Sequence, residues 1–186
     1  PTSCEKDEVY ILFDDDIVFI ETEKFKDFID FRIDNPQYLV VYPLVINNTA
    51  SSYKLQQLGK INKTTPMVGE VVGDPGDMSW NRGGFHPCDS VAWGNPNFCV
   101  GLHDDFIMSV RRNDIDHWRM PDWELTNYEC KSINSISWLG STFAQFGGQM
   151  DTLAEEGEIT YHLPKKLGML NVVSSKMISS HYSLYP

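Results

Sequence analysis

No window of the 186-residue sequence approaches the roughly 18 consecutive apolar residues of a helical membrane crossing. The sequence therefore contains no transmembrane segment. Positive charge is scarce: 15 Lys and Arg stand against 26 Asp and Glu, for a formal net charge of -11. Neither nucleic acid nor an anionic membrane attracts such a chain, so an anionic ligand needs a metal ion or a local cluster of cations to hold it. Cysteine is sparse too. Cys4, Cys88, Cys99 and Cys130 form no C-x-x-C pair, which argues against structural zinc and leaves two disulfides or free thiols as alternatives. No signal-peptide pattern opens the chain, and a start at Pro1 reads as a fragment or a processed form. Asn47-Asn48-Thr49 and Asn62-Lys63-Thr64 match the glycosylation acceptor pattern, which is too common to fix a compartment. Localisation stays undecided.

What is present is an ordinary globular composition, 41% hydrophobic and 22% charged, arranged around residues 10–21. There an apolar run rich in β-branched and aromatic residues is interrupted by Asp14, Asp15 and Asp16, without the Gly or Asn of a tight hairpin. The pattern places three carboxylates where a strand leaves the core, the position at which open α/β sheets bind ligands. Adjacent like charges repel, and a divalent cation relieves the repulsion, with hard oxygen ligands favouring Mn or Mg.

Downstream, Phe25, Phe28, Ile29 and Phe31 are spaced as on a helix over 23–33, which Asp34-Asn35-Pro36 stops. Residues 38–46 read as a second buried strand, so that strand, helix and strand predict a βαβ unit. Asn47 and Asn48 at its end are either ligand-binding groups or the cap of a helix over 51–59. Residues 60–98 carry Gly and Pro at a density that breaks every period, and predict a long irregular loop that closes over the site. A helix is expected over 100–112. The Trp118-Arg119 neighbourhood reads as core and rim, or as a sugar-stacking platform. Residues 130–146 alternate as a strand ending in Gly147-Gly148, beyond which lie the acids Asp151, Glu155, Glu156 and Glu158. Residues 163–168 read as a basic turn, and 171–178 leads into Ser179-Ser180-His181-Tyr182-Ser183.

These segments carry a resemblance. Leu12-Phe13-Asp14-Asp15-Asp16-Ile17-Val18-Phe19-Ile20 resembles the D-x-D segment of nucleotide-sugar glycosyltransferases of the GT-A fold. It is most similar to a loosely characterised group whose members also carry a Phe-Arg-Ile/Leu-x-Asn-Pro stretch (31–36 here), a V-I-N-N strand end (45–48), an S-I-N-x-I-x-W-x-G strand (132–140), Gly-Gly followed by acids (147–156) and a closing H-[FY]-S (181–183). The resemblance implies one α/β domain over 1–186, a GT-A-like mixed sheet with flanking helices and a long loop. It implies a metal-dependent transferase that moves a sugar from a nucleotide-sugar donor to a hydroxyl of a carbohydrate or glycoconjugate acceptor. It assigns Asp14, Asp16 and His181 to Mn2+ or Mg2+, and Asp14, Asp15, Asn47 and Asn48 to the donor. Glu155 or Glu156, with Asp151 in reserve, becomes the general base, and Trp138 and Phe146 become sugar-stacking surfaces. Only thirteen residues precede Asp14, so the nucleoside-binding half of such an enzyme is expected to be missing. Asp14-x-Asp16 after an apolar strand also fits a haloacid dehalogenase-type phosphatase, with Asp74 and Asp77 as its later acids. A carbohydrate-binding module without turnover is the third reading.

Overall fold

The run Tyr38–Ile46, YLVVYPLVI, has almost nothing polar to place on a wet face, and every residue of it but Tyr38 is buried. It forms the middle of the sheet. The computed structural model describes residues 8–70, 96–129, 131–145 and 155–182. Within them β1 (Val9–Phe13), β2 (Ile17–Ile20), β3 (Tyr38–Ile46), β4 (Trp123–Glu124), β5 (Ser135–Leu139) and β6 (Leu170–His181) make one open mixed sheet. Its order is β1-β5-β3-β6-β2, and β4 also pairs with β6. Helices α1 (Phe25–Asp34), α2 (Thr49–Gln57), α3 (Pro96–Arg111) and α4 (Gly140–Ala144) flank it, so the chain is of α/β class. Among the described residues no helix is long and apolar enough to cross a membrane.

Side chains alternate across a strand, and β3 feeds two cores. Val41 packs with Phe28 of α1, Val172 and Met177. Tyr42, Leu44 and Ile46 meet Leu55 of α2 and Leu102 and Phe106 of α3. Each such side chain contributes about 1.5–3 kcal/mol by leaving water, which is why the helices lie where their apolar stripes are. The helix expected over 23–33 is α1, preceded by a 3-10 turn at Thr22–Lys24. The Asn35 amide closes its end by donating to the Phe31 carbonyl at 2.9 Å.

The expected βαβ unit holds only across an intervening strand. β3 and β6 are the parallel pair, β5 lies antiparallel between β1 and β3, and β2 runs antiparallel to β6. β1 is therefore parallel to β3 but separated from it by β5, whereas β2, which directly precedes α1, is antiparallel to β3 and separated from it by β6. The strand expected over 130–146 is also shorter. It ends at Leu139, and α4 begins at Gly140, because Leu139 and Phe143 are four apart, a helical spacing. Gly147 and Gly148 lie outside the described residues, as do 71–95, most of the glycine- and proline-rich stretch. The helix expected over 51–59 starts at Thr49. Asn47 is 7% exposed, which removes the first glycosylation pattern.

Two irregularities position the site. Pro43 has no N–H for the ladder, and there the pairing jumps from Pro43–Ser174 to Leu44–Ile178, leaving residues 175–177 of β6 as a bulge. Side chains replace the lost ladder bonds. Glu21, 2% exposed, accepts from the Ile178 amide at 3.1 Å and pairs with Arg119. Arg119 in turn donates to the Ser175 carbonyl at 2.5 Å. Trp118, 3% exposed, packs edge-on against Phe106, so the Trp118-Arg119 neighbourhood is core and rim rather than a stacking platform.

The second irregularity replaces the expected basic turn. Glu155–Gly157 (α5), a π-turn at Glu158–His162 and Leu163–Leu167 (α6) run continuously as helix. Pro164 cannot donate within that run and its ring crowds the turn before it, so the backbone widens. The freed Ile159 carbonyl is taken by Asn171 Nδ2 at 3.1 Å, while Asn171 Oδ1 accepts from the Val40 amide at 3.1 Å. Gly168, at φ 65°, ends the run in the left-handed region.

Candidate functional site

Asp14, Asp15 and Asp16 carry the chain from β1, which pairs with β5, to β2, which pairs with β6. This is a crossing over the end of the sheet, not a hairpin. Three backbone bonds fix it: Asp14 N–H to the Asn134 carbonyl at 2.9 Å, Ile17 N–H to the Asp14 carbonyl at 3.2 Å and Tyr182 N–H to the Asp16 carbonyl at 2.8 Å. The aspartates therefore sit beside the carboxyl ends of β3 and β6, where Asn47, Asn48 and His181 lie.

Asp14, Asp16 and His181 each offer a ligand atom, and all three atoms lie within 4.8 Å of one another. His181 Nε2 is 2.8 Å from Asp16 Oδ2, and Asp16 Oδ1 is buried without a hydrogen-bond partner. Two carboxylates and an imidazole, one oxygen among them unsatisfied, suit a hard or borderline divalent cation of the Mn or Mg kind. Asp15 is exposed.

Asn47 sits at φ 61°, a conformation asparagine tolerates better than most residues, and its Nδ2 donates to the His181 carbonyl at 3.2 Å. Asn48 caps α2, its Oδ1 accepting from the Ser51 amide at 3.3 Å. The same oxygen accepts from Lys131 Nζ at 3.2 Å, and Asn48 Nδ2 donates to Asn134 Oδ1 at 2.9 Å. Asn134 Nδ2 then lies 3.1 Å from Asp14 Oδ2 and 3.2 Å from His181 Nε2.

The sequence reading missed Asn134 and Lys131 as site residues. Asn134 sits in the S-I-N-x-I-x-W stretch, one residue before β5, where a polar side chain between isoleucines was the available signal. Lys131 gives no signal in sequence. It is fully buried, with its Nζ 5.0 Å from the centre of the Tyr42 ring, and burial pushes its pKa down to about 7.

Glu155 and Glu156 separate as adjacent helical positions must, roughly 100° apart. Glu155 is exposed and Glu156 half-buried. Burial raises the Glu156 carboxyl above its usual range and nearby Asp14 adds to the rise, while a hydrogen bond from Ser132 and the charge of Lys131 oppose it. The Thr160 hydroxyl donates to the Glu156 carbonyl at 2.6 Å, which ties this residue to the π-turn. Asp151, Phe146, Asp74 and Asp77 lie outside the described residues. Trp138 stacks on Tyr10, ring centres 5.7 Å apart, and packs against Phe143, so much of its ring is already used within the protein. No family profile, curated protein or solved structure matches the chain.

Proposed function

We propose that the chain carries the D-x-D and acceptor-side groups of a metal-dependent, GT-A-like glycosyltransferase acting on a nucleotide-sugar donor. The observation that carries this reading is the convergence of Asp14 and Asp16 with His181, which comes from the far end of the described chain. In this reading Asp14, Asp16 and His181 would hold Mn2+ or Mg2+. The bound ion supplies charge neutralisation for the leaving diphosphate. Asp15, exposed beside Asp14, faces the donor.

Glu156 rather than Glu155 is the base. As the acceptor oxygen bonds to the anomeric carbon and the carbon–oxygen bond to the diphosphate breaks, the acceptor proton passes to the Glu156 carboxylate. A carboxyl raised by burial is better matched to that task near neutral pH than an exposed one. The phosphatase reading leaves His181 and Glu156 without a role. A panel of nucleotide sugars with Mn tests the proposal. Slow metal-dependent donor hydrolysis, lost in Asp16→Asn, is the expected result; cleavage of phosphomonoesters overturns it in favour of the phosphatase, and sugar binding without turnover in favour of a binding module.

A further inference from the structure

We infer that the amino end of the sheet carries a second binding site, a cleft around Trp123 that takes a neutral saccharide. This deepens the transferase reading: the cleft's use, to hold the far part of a carbohydrate acceptor, rests on that reading, while the binding itself does not. A cavity of about 410 Å³ lies there, with Tyr38, Lys54, Leu58, Asp122, Trp123 and Glu124 in its lining. That volume falls in the range of small-ligand sites. Tyr38 opens β3 and Asn47 follows its last residue, so at about 3.3 Å per residue the cleft lies roughly 25 Å from the aspartates, across the length of the sheet.

The walls offer three kinds of contact. Trp123 is half-buried and packs partly against the core, and the Lys54 ammonium stands 5.2 Å from the centre of its ring. Asp122 and Glu124 are exposed, and a hydroxyl steadies each of them. Ser174 donates to Asp122 Oδ1 at 2.7 Å, and Tyr38 donates to Glu124 Oε1. Burial and the bond to Glu124 raise the Tyr38 phenol above its ordinary pKa, so it keeps the proton it donates. One oxygen of each carboxylate is thereby fixed in place, and the other faces no donor among the described residues.

This mixture selects the class of ligand. A sugar hydroxyl both donates and accepts, and a sugar ring carries C–H faces, so a saccharide uses carboxylate, ammonium and aromatic ring side by side. A cation fits less well, because Lys54 already brings positive charge to the Trp123 ring and an incoming ammonium meets it as a like charge. An anion meets Asp122 and Glu124 in a chain of net charge -11. An apolar ligand strips water from two carboxylates and returns no hydrogen bond. A neutral glycan long enough to run along the sheet engages Trp123 at one end and the aspartates' site at the other, and the second contact is then strengthened by effective concentration.

Solution NMR of the full chain, titrated in turn with methyl β-D-glucopyranoside, cellohexaose, glucuronate and spermidine, reads the cleft without activity or metal. Both neutral saccharides should move the Trp123 indole N–H and Tyr38 ring signals saturably, and glucuronate should move them little. Asp122→Ala and Glu124→Ala change exposed side chains, and each should weaken cellohexaose about tenfold, the scale of a hydrogen bond to a charged group. Trp123→Leu should abolish the movement at Tyr38; the two carboxylate variants carry the test if that one folds poorly. No movement at Trp123 with either neutral saccharide, spermidine acting at lower concentration than both, or unaltered cellohexaose binding in both carboxylate variants overturns the cleft. Asp16→Asn should leave the binding intact. Saccharide bound at Trp123 in a chain that never hydrolyses a nucleotide sugar upholds the cleft and sinks the transferase reading instead.

Discussion

Lys131 offers the sharpest test of the energetics. Its ammonium is fully buried among Tyr42, Asn48 and the neighbourhood of Glu156. Burial lowers its pKa from the ordinary 10.5 to about 7. Between those values the unfolded chain binds a proton that the folded chain has released, so stability rises with pH across that window and is flat in this term below it. Three and a half tenfold steps at about 1.4 kcal/mol each set the scale of the gain at roughly 5 kcal/mol from pH 7 to pH 10.5. Lys131→Met removes the titrating group while keeping most of the volume. Urea unfolding of both proteins at intervals across pH 7–10 should give a difference that shrinks, pH by pH, as the unaltered chain becomes more stable while Lys131→Met does not share the rise. Parallel curves would refute the reasoning, because they would mean that the ammonium is solvated or paired well enough to feel no burial.

Three further outcomes are expected. Asp16→Asn should bind Mn at least tenfold more weakly than the unaltered chain in calorimetric titration, because it removes one of three ligands; equal affinity would dissolve the metal site. Glu156→Gln should cost about 10²- to 10⁴-fold in turnover while leaving donor binding nearly intact, whereas Glu155→Gln should change turnover little, and steady-state kinetics with donor titration separates the two. Glu21→Ala should destabilise the fold by about 2–4 kcal/mol in denaturant unfolding, since it strips Arg119 and the Ile178 amide of a buried partner; a loss within the error of the method would show the bulge to be held without it.

Much of the local structure was legible because local chemistry dictates it. The unbroken apolar run of Tyr38–Ile46 announced a strand buried on both faces, and Asp34-Asn35-Pro36 announced the end of α1. The absence of Gly or Asn among Asp14–Asp16 correctly argued against a hairpin. Strand order was not legible, because the antiparallel placement of β5 between β1 and β3 depends on pairings between residues far apart in sequence that leave no mark on either segment. The site divides in the same way. Three adjacent aspartates are a local signal, and His181 entered through resemblance rather than chemistry. Asn134 and Lys131 matter only through what they touch. An amide joins a buried hydrogen-bond chain, and a lysine is buried with its pKa lowered, when distant strands bring a helix cap and a carboxylate beside them.

The bulge in β6 can be put in terms of counting. Three extra residues separate the pairing of Ser174 with Pro43 from that of Ile178 with Leu44, and three is an odd number. Faces of a strand alternate with a period of two, so an odd insertion inverts which face every later residue serves. His181 belongs to the inverted part of the strand. An even change in the length of 175–177 would preserve that parity and leave the histidine on the aspartates' side, displaced along the strand; an odd one would turn its ring to the opposite face without altering a single ligand. The number of residues opposite one proline thus belongs to the specification of the site as much as the identity of the residues in it.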